Sequence, residues 1–217
     1  HAFLSALELS ACVGGRTGWH PRILKISDAS GAIRAAVPAY LKSHSQGEYV
    51  FDHGWADAFQ RAGGQYYPKL QVTVPFTPAT GPRLLAAGGD IEAQHAAATA
   101  IQETTLQSTL SSAHLTFLPE TEANLLGEHG YLRRTDQQFH FFNRDYRDYS
   151  DFLDSLASRK RKALRKEREA ALANGITIHR LTGAELTETV WDQFFAFYMD
   201  TGGRKWGRPY LTREFFS

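Results

Sequence analysis

Residues 40–57 read YLKSHSQGEYVFDHGWAD and continue an apolar strand pattern that ends at Leu41. A solvated loop would be richer in Ser, Asn and Gly, and a core strand would carry fewer ionisable groups. The mixture is typical of the wall of a polar pocket, and an exposed loop above packed aromatic side chains is the alternative interpretation. The stretch concentrates ionisable and aromatic residues: Lys42, His44, Glu48, Tyr49, Asp52, His53 and Trp55.

The sequence on either side of this stretch predicts a mixed α/β fold. Residues 19–26 and 32–41 predict an antiparallel hairpin, and residues 70–74 alternate apolar and polar side chains as a half-buried strand does. Residues 90–112 carry apolar side chains at helical spacing, with Asp90 near the start as a cap. Because helices and strands alternate, the class is mixed α/β. Further helices are predicted at 3–9, 56–62, 120–128, 149–157, 158–172 and 185–198, and further strands at 113–118, 137–143 and 176–181.

Composition indicates a globular protein inside a cell. The 217 residues suffice for one large domain or one and a half ordinary domains. Hydrophobic residues make up 42% of the chain, and no apolar run approaches the roughly 20 residues that span a bilayer. The single Cys12 excludes an intramolecular disulfide, which fits a reducing cytoplasm.

The net charge is only +1, but residues 158–169, SRKRKALRKERE, form a local basic segment. Clustered Lys and Arg attract phosphate in RNA, in a nucleotide or on a lipid surface. Arg159, Lys162 and Lys166 fall near one face of a helix, which favours a binding role. A solvated helix face is the alternative.

Several kinds of site find no support in the sequence. The glycine-rich segment 202–207, GGRKWG, lacks the spacing of a phosphate-binding loop, and is interpreted as a mobile substrate loop or an ordinary connection. His95, His114 and His129 belong to separate predicted elements, so their spacing predicts no metal site. Cys12 has no base nearby in the sequence. We therefore expect no metal and no tightly bound cofactor.

A second polar segment follows the first. Residues 66–69, Tyr-Tyr-Pro-Lys, repeat the placement of a lysine beside aromatic residues that is seen at 40–42. Lysines in this setting clamp anionic groups of a substrate while tyrosine hydroxyls orient it. A lysine that extends along a strand edge into solvent is the alternative.

The chain resembles the FemAB-like branch of the GNAT (Nat) acyltransferase superfamily, a bacterial group associated with peptidoglycan biosynthesis and recognition. The resemblance covers nearly the whole chain. It rests mainly on three segments: YLKSHSQGEYVFDHGWADAF (40–59), GGQYYPKLQVTVPFTPATGPRLL (63–85) and SRKRKALRKE followed by NGITI (158–178).

The resemblance implies a GNAT-like fold with two Nat domains in tandem. Residues 1–145 would form the first domain and residues 146–217 the beginning of an incomplete second one. FemAB enzymes transfer an amino acid from aminoacyl-tRNA to an amine of a peptidoglycan precursor, whereas most Nat relatives use acyl-CoA. The chain lacks the Arg/Gln-x-x-Gly-x-Gly/Ala loop that holds the CoA pyrophosphate in ordinary Nat enzymes.

The resemblance implies an acyltransferase or aminoacyltransferase with acyl-CoA or aminoacyl-tRNA as the donor substrate. The acceptor is a small molecule or a peptidoglycan precursor, and Glu48 or Asp52 removes the proton from its amine. A non-catalytic module that recognises a cell-wall precursor or RNA, including tRNA, is the alternative. The predicted acceptor-binding residues are Lys42, His44, Tyr49, Trp55, Tyr67 and Lys69, and the predicted phosphate-binding residues are Arg159, Lys162 and Arg165.

Overall fold

The structure is a computed structural model that describes residues 2–204 and 208–217. It confirms the mixed α/β class. The elements in chain order are α1 (Ala2–Leu9), β1 (Trp19–Pro21), β2 (Leu24–Ser27), β3 (Ile33–Val37), β4 (Ala39–Lys42), α2 (His53–Arg61), β5 (Lys69–Val72), β6 (Leu85–Ala86), α3 (Ile91–Gln107), β7 (Ala113–Leu115), α4 (Glu120–Glu128), α5 (Tyr149–Asp154), α6 (Ser158–Ala171) and α7 (Glu188–Arg204). Short 3-10 turns lie at Ala87–Gly89, Gly183–Glu185 and Arg213–Phe216.

The strands form two sheets. A four-stranded sheet has the order β1-β4-β5-β7, in which only the β5–β7 pair is parallel. A three-stranded antiparallel sheet has the order β2-β3-β6. The antiparallel pairing of β2 with β3 confirms a hairpin between residues 24 and 37. Its turn is fixed by Asp28, whose Oδ1 accepts hydrogen bonds from the backbone N–H of Ser30 and Ala32.

The prediction of one continuous strand over 32–41 was wrong, because the chain changes sheet at Pro38. β3 ends at Val37 and β4 begins at Ala39, each in a different sheet. Proline has no N–H to donate and a fixed φ, so it cannot continue a strand ladder. The predicted strand 19–26 is likewise divided into β1 and β2.

One face of the four-stranded sheet packs into the main hydrophobic core. Ala39, Leu70 and Val72 are fully buried there, against Ala97 and Ile101 of α3. Asp90 caps α3 as predicted, since its Oδ1 accepts a hydrogen bond from the Ala93 N–H. Full burial of a Leu or Val side chain contributes about 1.5–3 kcal/mol. The apolar face therefore fixes the orientation of both central strands.

The opposite face of the same sheet carries polar side chains. Because side chains alternate along a strand, Tyr40 and Lys42 of β4 point away from the main core, as do Lys69 and Gln71 of β5. Tyr40 lies opposite Gln71 and Lys42 opposite Lys69 in the register. All four are fully buried. A second hydrophobic cluster lies beside them and holds Leu7, Cys12, Val13, Trp19 and Tyr40, with Leu4, Phe76, Leu211 and Phe215 packed against it.

Residues 1–133 with 188–217 form one compact unit, and residues 134–187 form another. In the second unit, Asp148 caps α5 through the Asp151 N–H, and α6 confirms the predicted basic helix. The strands predicted at 137–143 and 176–181 were wrong, because neither segment pairs with another strand among the described residues. A strand is stable only with a hydrogen-bonded neighbour. The two Nat domains predicted at 1–145 and 146–217 stay a prediction.

The helix predicted at 185–198 begins at Glu188 and ends at Arg204. It therefore includes Gly202, Gly203 and Arg204, which were predicted to lie in a loop. Lys205, Trp206 and Gly207, the rest of that predicted loop, lie outside the described residues. Aromatic side chains of α7, including Trp191 and Tyr198, pack on Phe216 in the last turn of the chain.

Among the residues that the structure describes, no helix has both the length and the apolar character needed to cross a membrane.

Candidate functional site

Two lysines and two carboxylates meet beneath the connection between β4 and α2. Lys69 Nζ lies 2.8 Å from Glu48 Oε2 and 2.6 Å from Asp52 Oδ2. Lys42 Nζ lies 3.9 Å from the other Glu48 oxygen, Oε1. None of these side chains is more than 2% exposed. We call Lys42, Glu48, Asp52 and Lys69 the charge cluster.

Hydroxyl groups complete the surroundings of Lys69. Its Nζ also donates to Ser45 Oγ at 3.0 Å, so the three N–H donors of the ammonium group are matched by three acceptors. Ser45 Oγ is hydrogen-bonded to the Tyr67 hydroxyl at 2.8 Å. The Tyr66 hydroxyl donates to Asp52 Oδ2 at 2.8 Å. Lys69 is therefore the centre of a hydrogen-bond network that reaches the half-buried Tyr67.

Lys42 has a different environment. Its Nζ lies 3.6 Å from the centroid of the Trp19 ring, donates to the Gln46 carbonyl at 3.2 Å and faces His44 Nδ1 at 3.5 Å. His44 Nε2 lies 2.9 Å from the Thr17 carbonyl, which can only accept a hydrogen bond. The proton of the neutral imidazole therefore sits on Nε2, and Nδ1 is an acceptor that faces Lys42.

Backbone geometry turns Glu48 inward. Gly47 has φ 79°, and a Cβ atom there would lie 2.7 Å from Cδ1 of Phe76. The Phe76 N–H donates to the Gly47 carbonyl at 3.2 Å, so the two segments are in direct contact. Tyr49 has φ 56°, a conformation that costs a non-glycine residue about 1 kcal/mol or more. The glycine and this strained residue flank Glu48 and direct its carboxylate towards the lysines.

The two carboxylates differ in their acidity. Burial raises the pKa of Asp52, but the hydrogen bonds from Lys69 and Tyr66 and the charge of Lys69 outweigh it and lower the pKa to about 2. Burial raises the pKa of Glu48, and the opposing effects of Lys69 and Lys42 do not fully cancel it. Asp52 therefore stays ionised under all physiological conditions, whereas Glu48 is the carboxylate better able to accept a proton.

Burial also lowers the pKa of Lys42 to about 7, against the effect of Glu48, with Lys69 adding like-charge repulsion. The Trp19 ring face favours the ammonium form and limits this effect. Burial and the neighbouring Lys42 lower the pKa of His44. His44 is therefore neutral at pH 7, in agreement with its tautomer.

The lowered pKa of Lys42 predicts a rise in stability at alkaline pH. The unfolded lysine titrates near 10.4, so between pH 7 and 10 the unfolded chain binds more protons than the folded chain, and the free energy of unfolding increases with pH. We expect a rise on the order of 1–3 kcal/mol in the native chain and a smaller one in Lys42→Met. Urea denaturation at about pH 7 and about pH 10 measures the change in the free energy of unfolding of each chain.

Lys25→Met is the control for this experiment, because Lys25 is exposed on β2 and should retain the full alkaline rise. Equal pH dependence of the native chain and Lys42→Met would show that Lys42 titrates normally.

Both carboxylates also have an oxygen that accepts no hydrogen bond. Glu48 Oε1 and Asp52 Oδ1 are buried and accept no hydrogen bond from any described residue. The hydroxyl of Tyr40 and Oε1 of Gln71, further along the same sheet face, share this property. A buried polar atom without a partner costs about 1–3 kcal/mol. The two carboxylate oxygens are acceptors that match a group rich in N–H donors.

The structure brings most of the predicted site residues together. Lys42, Glu48, Asp52 and Lys69 form the charge cluster, and His44 and Tyr67 contact it directly or through Ser45. Tyr49 and Trp55 lie outside it. Tyr49 is 48% exposed, and Trp55 is 69% exposed on α2, where it lines a shallow groove of about 500 Å³ with Phe51, Gly54 and Ala58.

The predicted phosphate-binding residues all lie on α6 in the unit of residues 134–187. Arg159, Lys162 and Arg165 are exposed. Arg165 lies 3.8 Å from Asp154 and lines a groove of about 370 Å³ beside Arg168. The Arg168 guanidinium lies 4.5 Å from the ring centroid of Tyr149. This helix has no buried residue, so its positive charge faces solvent.

Trp19, Ser45 and Tyr66 also belong to the site, although they are not among the predicted site residues. Tyr66 stands directly beside Tyr67 in the segment singled out from the sequence, and Ser45 lies between His44 and Glu48, so both had a local signal. Trp19 had none, because its contact with Lys42 follows from the pairing of β1 with β4. In the described part of the chain, no three His, Cys, Asp or Glu side chains converge as metal ligands would.

No curated protein and no solved structure matches the chain. The model of one family, described as peptidoglycan biosynthesis/recognition, matches residues 1–217 and therefore includes the charge cluster and the basic helix α6. The chain belongs to the FemAB-like family.

Proposed function

We propose that the chain belongs to an acyltransferase or aminoacyltransferase that acts on an amine of a peptidoglycan precursor, and that the charge cluster recognises this amine. The observation that carries the proposal is the pair of buried carboxylate oxygens that accept no hydrogen bond, Glu48 Oε1 and Asp52 Oδ1. The description of the family as peptidoglycan biosynthesis/recognition supports the acceptor class.

An amine or ammonium group complements these oxygens better than an anion would. It supplies two or three N–H donors, and a charge-assisted hydrogen bond to a carboxylate is about twice as strong as a neutral one. Lys69 has its own donors engaged and holds both carboxylates in place. The carboxylates are thus preorganised, but their buried oxygens are out of reach of the amine until the segment that covers them opens.

The different acidities of the carboxylates assign them different roles. Glu48, whose pKa is raised, takes a proton from the amine. Asp52, whose pKa is about 2, stays charged and holds Lys69. In the transfer, the amine nitrogen bonds to the ester or thioester carbonyl carbon, the carbon–oxygen or carbon–sulfur bond breaks, and the leaving group is protonated as the amine loses its proton. Alignment and proton removal are the requirements of this chemistry, and no covalent enzyme intermediate is needed.

The fold and the donor are part of the same proposal. The mixed sheet with helices on its apolar face is compatible with a Nat domain, followed by a second Nat domain that opens with α6. Acyl-CoA and aminoacyl-tRNA both carry phosphate, which the exposed Arg159, Lys162 and Arg165 would meet. A cytoplasmic location suits either donor.

Incubation of the native chain with a nucleotide-linked muropeptide and each donor in turn tests this proposal. We expect the muropeptide mass to increase by one acyl or aminoacyl group, and blocking its free amine by acetylation should abolish the increase. Binding of the muropeptide without any mass increase would overturn the transferase assignment and favour a recognition module.

A further inference from the structure

Two histidines, one on α3 and one at the end of α4, form a polar pair that is separate from the charge cluster. His95 is on α3, and His129 is the residue that ends α4. His95 Nδ1 lies 2.8 Å from His129 Nε2, and both side chains are half-buried. Neither belongs to the charge cluster, and the proposed transfer does not use them.

The backbone around this pair is held in place on both sides. Gln102 Nε2 donates to the His129 carbonyl at 2.7 Å, and the Tyr131 hydroxyl donates to the Ala98 carbonyl at 3.0 Å. Leu126, one turn before His129, is buried in the main core. The two imidazoles are therefore brought together by packing and hydrogen bonds that do not depend on the contact between the rings.

This spacing is close to that of two imidazoles on one metal ion. Imidazole nitrogens bind Zn²⁺ at about 2.0–2.1 Å, so neighbouring ligands lie about 2.9 Å apart in octahedral geometry and about 3.4 Å apart in tetrahedral geometry. For an ion to bind, the observed 2.8 Å must widen by about 0.1–0.6 Å, and both rings must rotate, because the two nitrogens point at each other in the hydrogen bond and their lone pairs must converge on the ion. A side-chain rotation of this size leaves the clamped backbone where it is.

We propose that His95 and His129 form a binding site for a borderline divalent transition ion, such as Zn²⁺ or Ni²⁺, whose remaining positions are filled by water. Imidazole favours these ions over Mg²⁺ and Ca²⁺, which prefer oxygen ligands. When both rings are neutral, one ring donates its N–H to the other ring in the hydrogen bond. When the ion binds, this proton moves to the second nitrogen of the donor ring. The step is a change of tautomer without net proton release. The bound ion would link α3 to the end of α4.

Calorimetric titration of the native chain, without a polyhistidine tag, with ZnCl₂ tests the site. We expect one ion per chain, at least about tenfold weaker binding in His95→Gln or His129→Gln, and no such site in the double variant. Saturating zinc should raise the Tm of the native chain by about 2–4 °C and leave that of the double variant unchanged. His20→Gln is the matched control, because His20 is exposed on β1.

A measurement on the native chain covers the case in which the variants do not fold. In NMR spectra, Zn²⁺ should shift the ring signals of His95 and His129 before those of the other seven histidines. The site would be refuted if the double variant kept the native zinc affinity and stoichiometry, or if zinc moved other histidine signals first. Binding of Mg²⁺ at the same affinity would refute the assignment to transition ions.

Discussion

Lys69→Met lowers the free energy of unfolding by about 3–5 kcal/mol, the expected cost when one partner of a buried ion pair is removed. Lys69 donates to Glu48, Asp52 and Ser45, all at 3.0 Å or less. Its replacement leaves two buried carboxylates with only Lys42 to balance them. Met fills a similar volume, so the loss reports the charge and its hydrogen bonds rather than a cavity. Urea denaturation at pH 7 measures the change.

Two further variants make this result interpretable. Lys25→Met removes an exposed lysine from β2 and should change the free energy of unfolding by no more than about 0.5 kcal/mol. Combining Lys69→Met with Glu48→Gln and Asp52→Asn removes the unbalanced charges and should recover part of the loss. A native-like free energy of unfolding in Lys69→Met would show that the lysine is not the centre of the network.

Glu48→Gln should reduce turnover of the proposed transfer by about 10²–10⁴-fold, the usual contribution of a general base. The amide keeps the shape of the side chain and can still accept from Lys69, but it cannot take a proton from the amine. Single-turnover kinetics with saturating donor and acceptor measures the chemical step apart from binding.

Asp52→Asn is the matched comparison, because it neutralises the other carboxylate of the same cluster. With a pKa of about 2, Asp52 is a poor base, so this change should act mainly on stability. If Glu48→Gln retained turnover within about tenfold of the native chain, Glu48 would not be the base. Greater loss in Asp52→Asn than in Glu48→Gln, at equal folded fraction, would reverse the two roles.

Local sequence signals predicted the parts of the molecule that depend on short-range periodicity. The amphipathic pattern of α3 and its cap Asp90 were both recognisable, because a helix repeats its apolar side chains every three or four residues. The polar content of 40–57 likewise pointed to Lys42, Glu48 and Asp52. Charged residues are rarely buried unless the fold gives them partners, so a run of them beside a strand indicates a paired cluster.

The parts that depend on pairing between distant segments were not accessible in this way. The Trp19 ring reaches Lys42 only because β1 pairs with β4 in one register. The aromatic segment 137–143 has strand-like composition, but composition cannot supply the neighbouring strand that a ladder requires. The spacing of His95 and His129 predicts no shared site, yet α3 and α4 bring their rings into contact.

Pro38 is a different case, because the sequence itself carries the signal for the break. A proline inside a predicted strand indicates an edge or a break. At Pro38 the break sends β3 and β4 into different sheets and sets the face on which Lys42 lies. Recognition of this break would have divided the predicted hairpin correctly, although not its pairing with β5.

Recognition of an amine by the charge cluster is tested most directly by calorimetric titration of the native chain and Glu48→Gln with two muropeptides, one with a free acceptor amine and one with that amine acetylated. The native chain should bind the free amine at least about tenfold more tightly than the acetylated form, and Glu48→Gln should lose most of this difference. Equal affinity of the native chain for both muropeptides would contradict the assignment of the cluster to the acceptor amine.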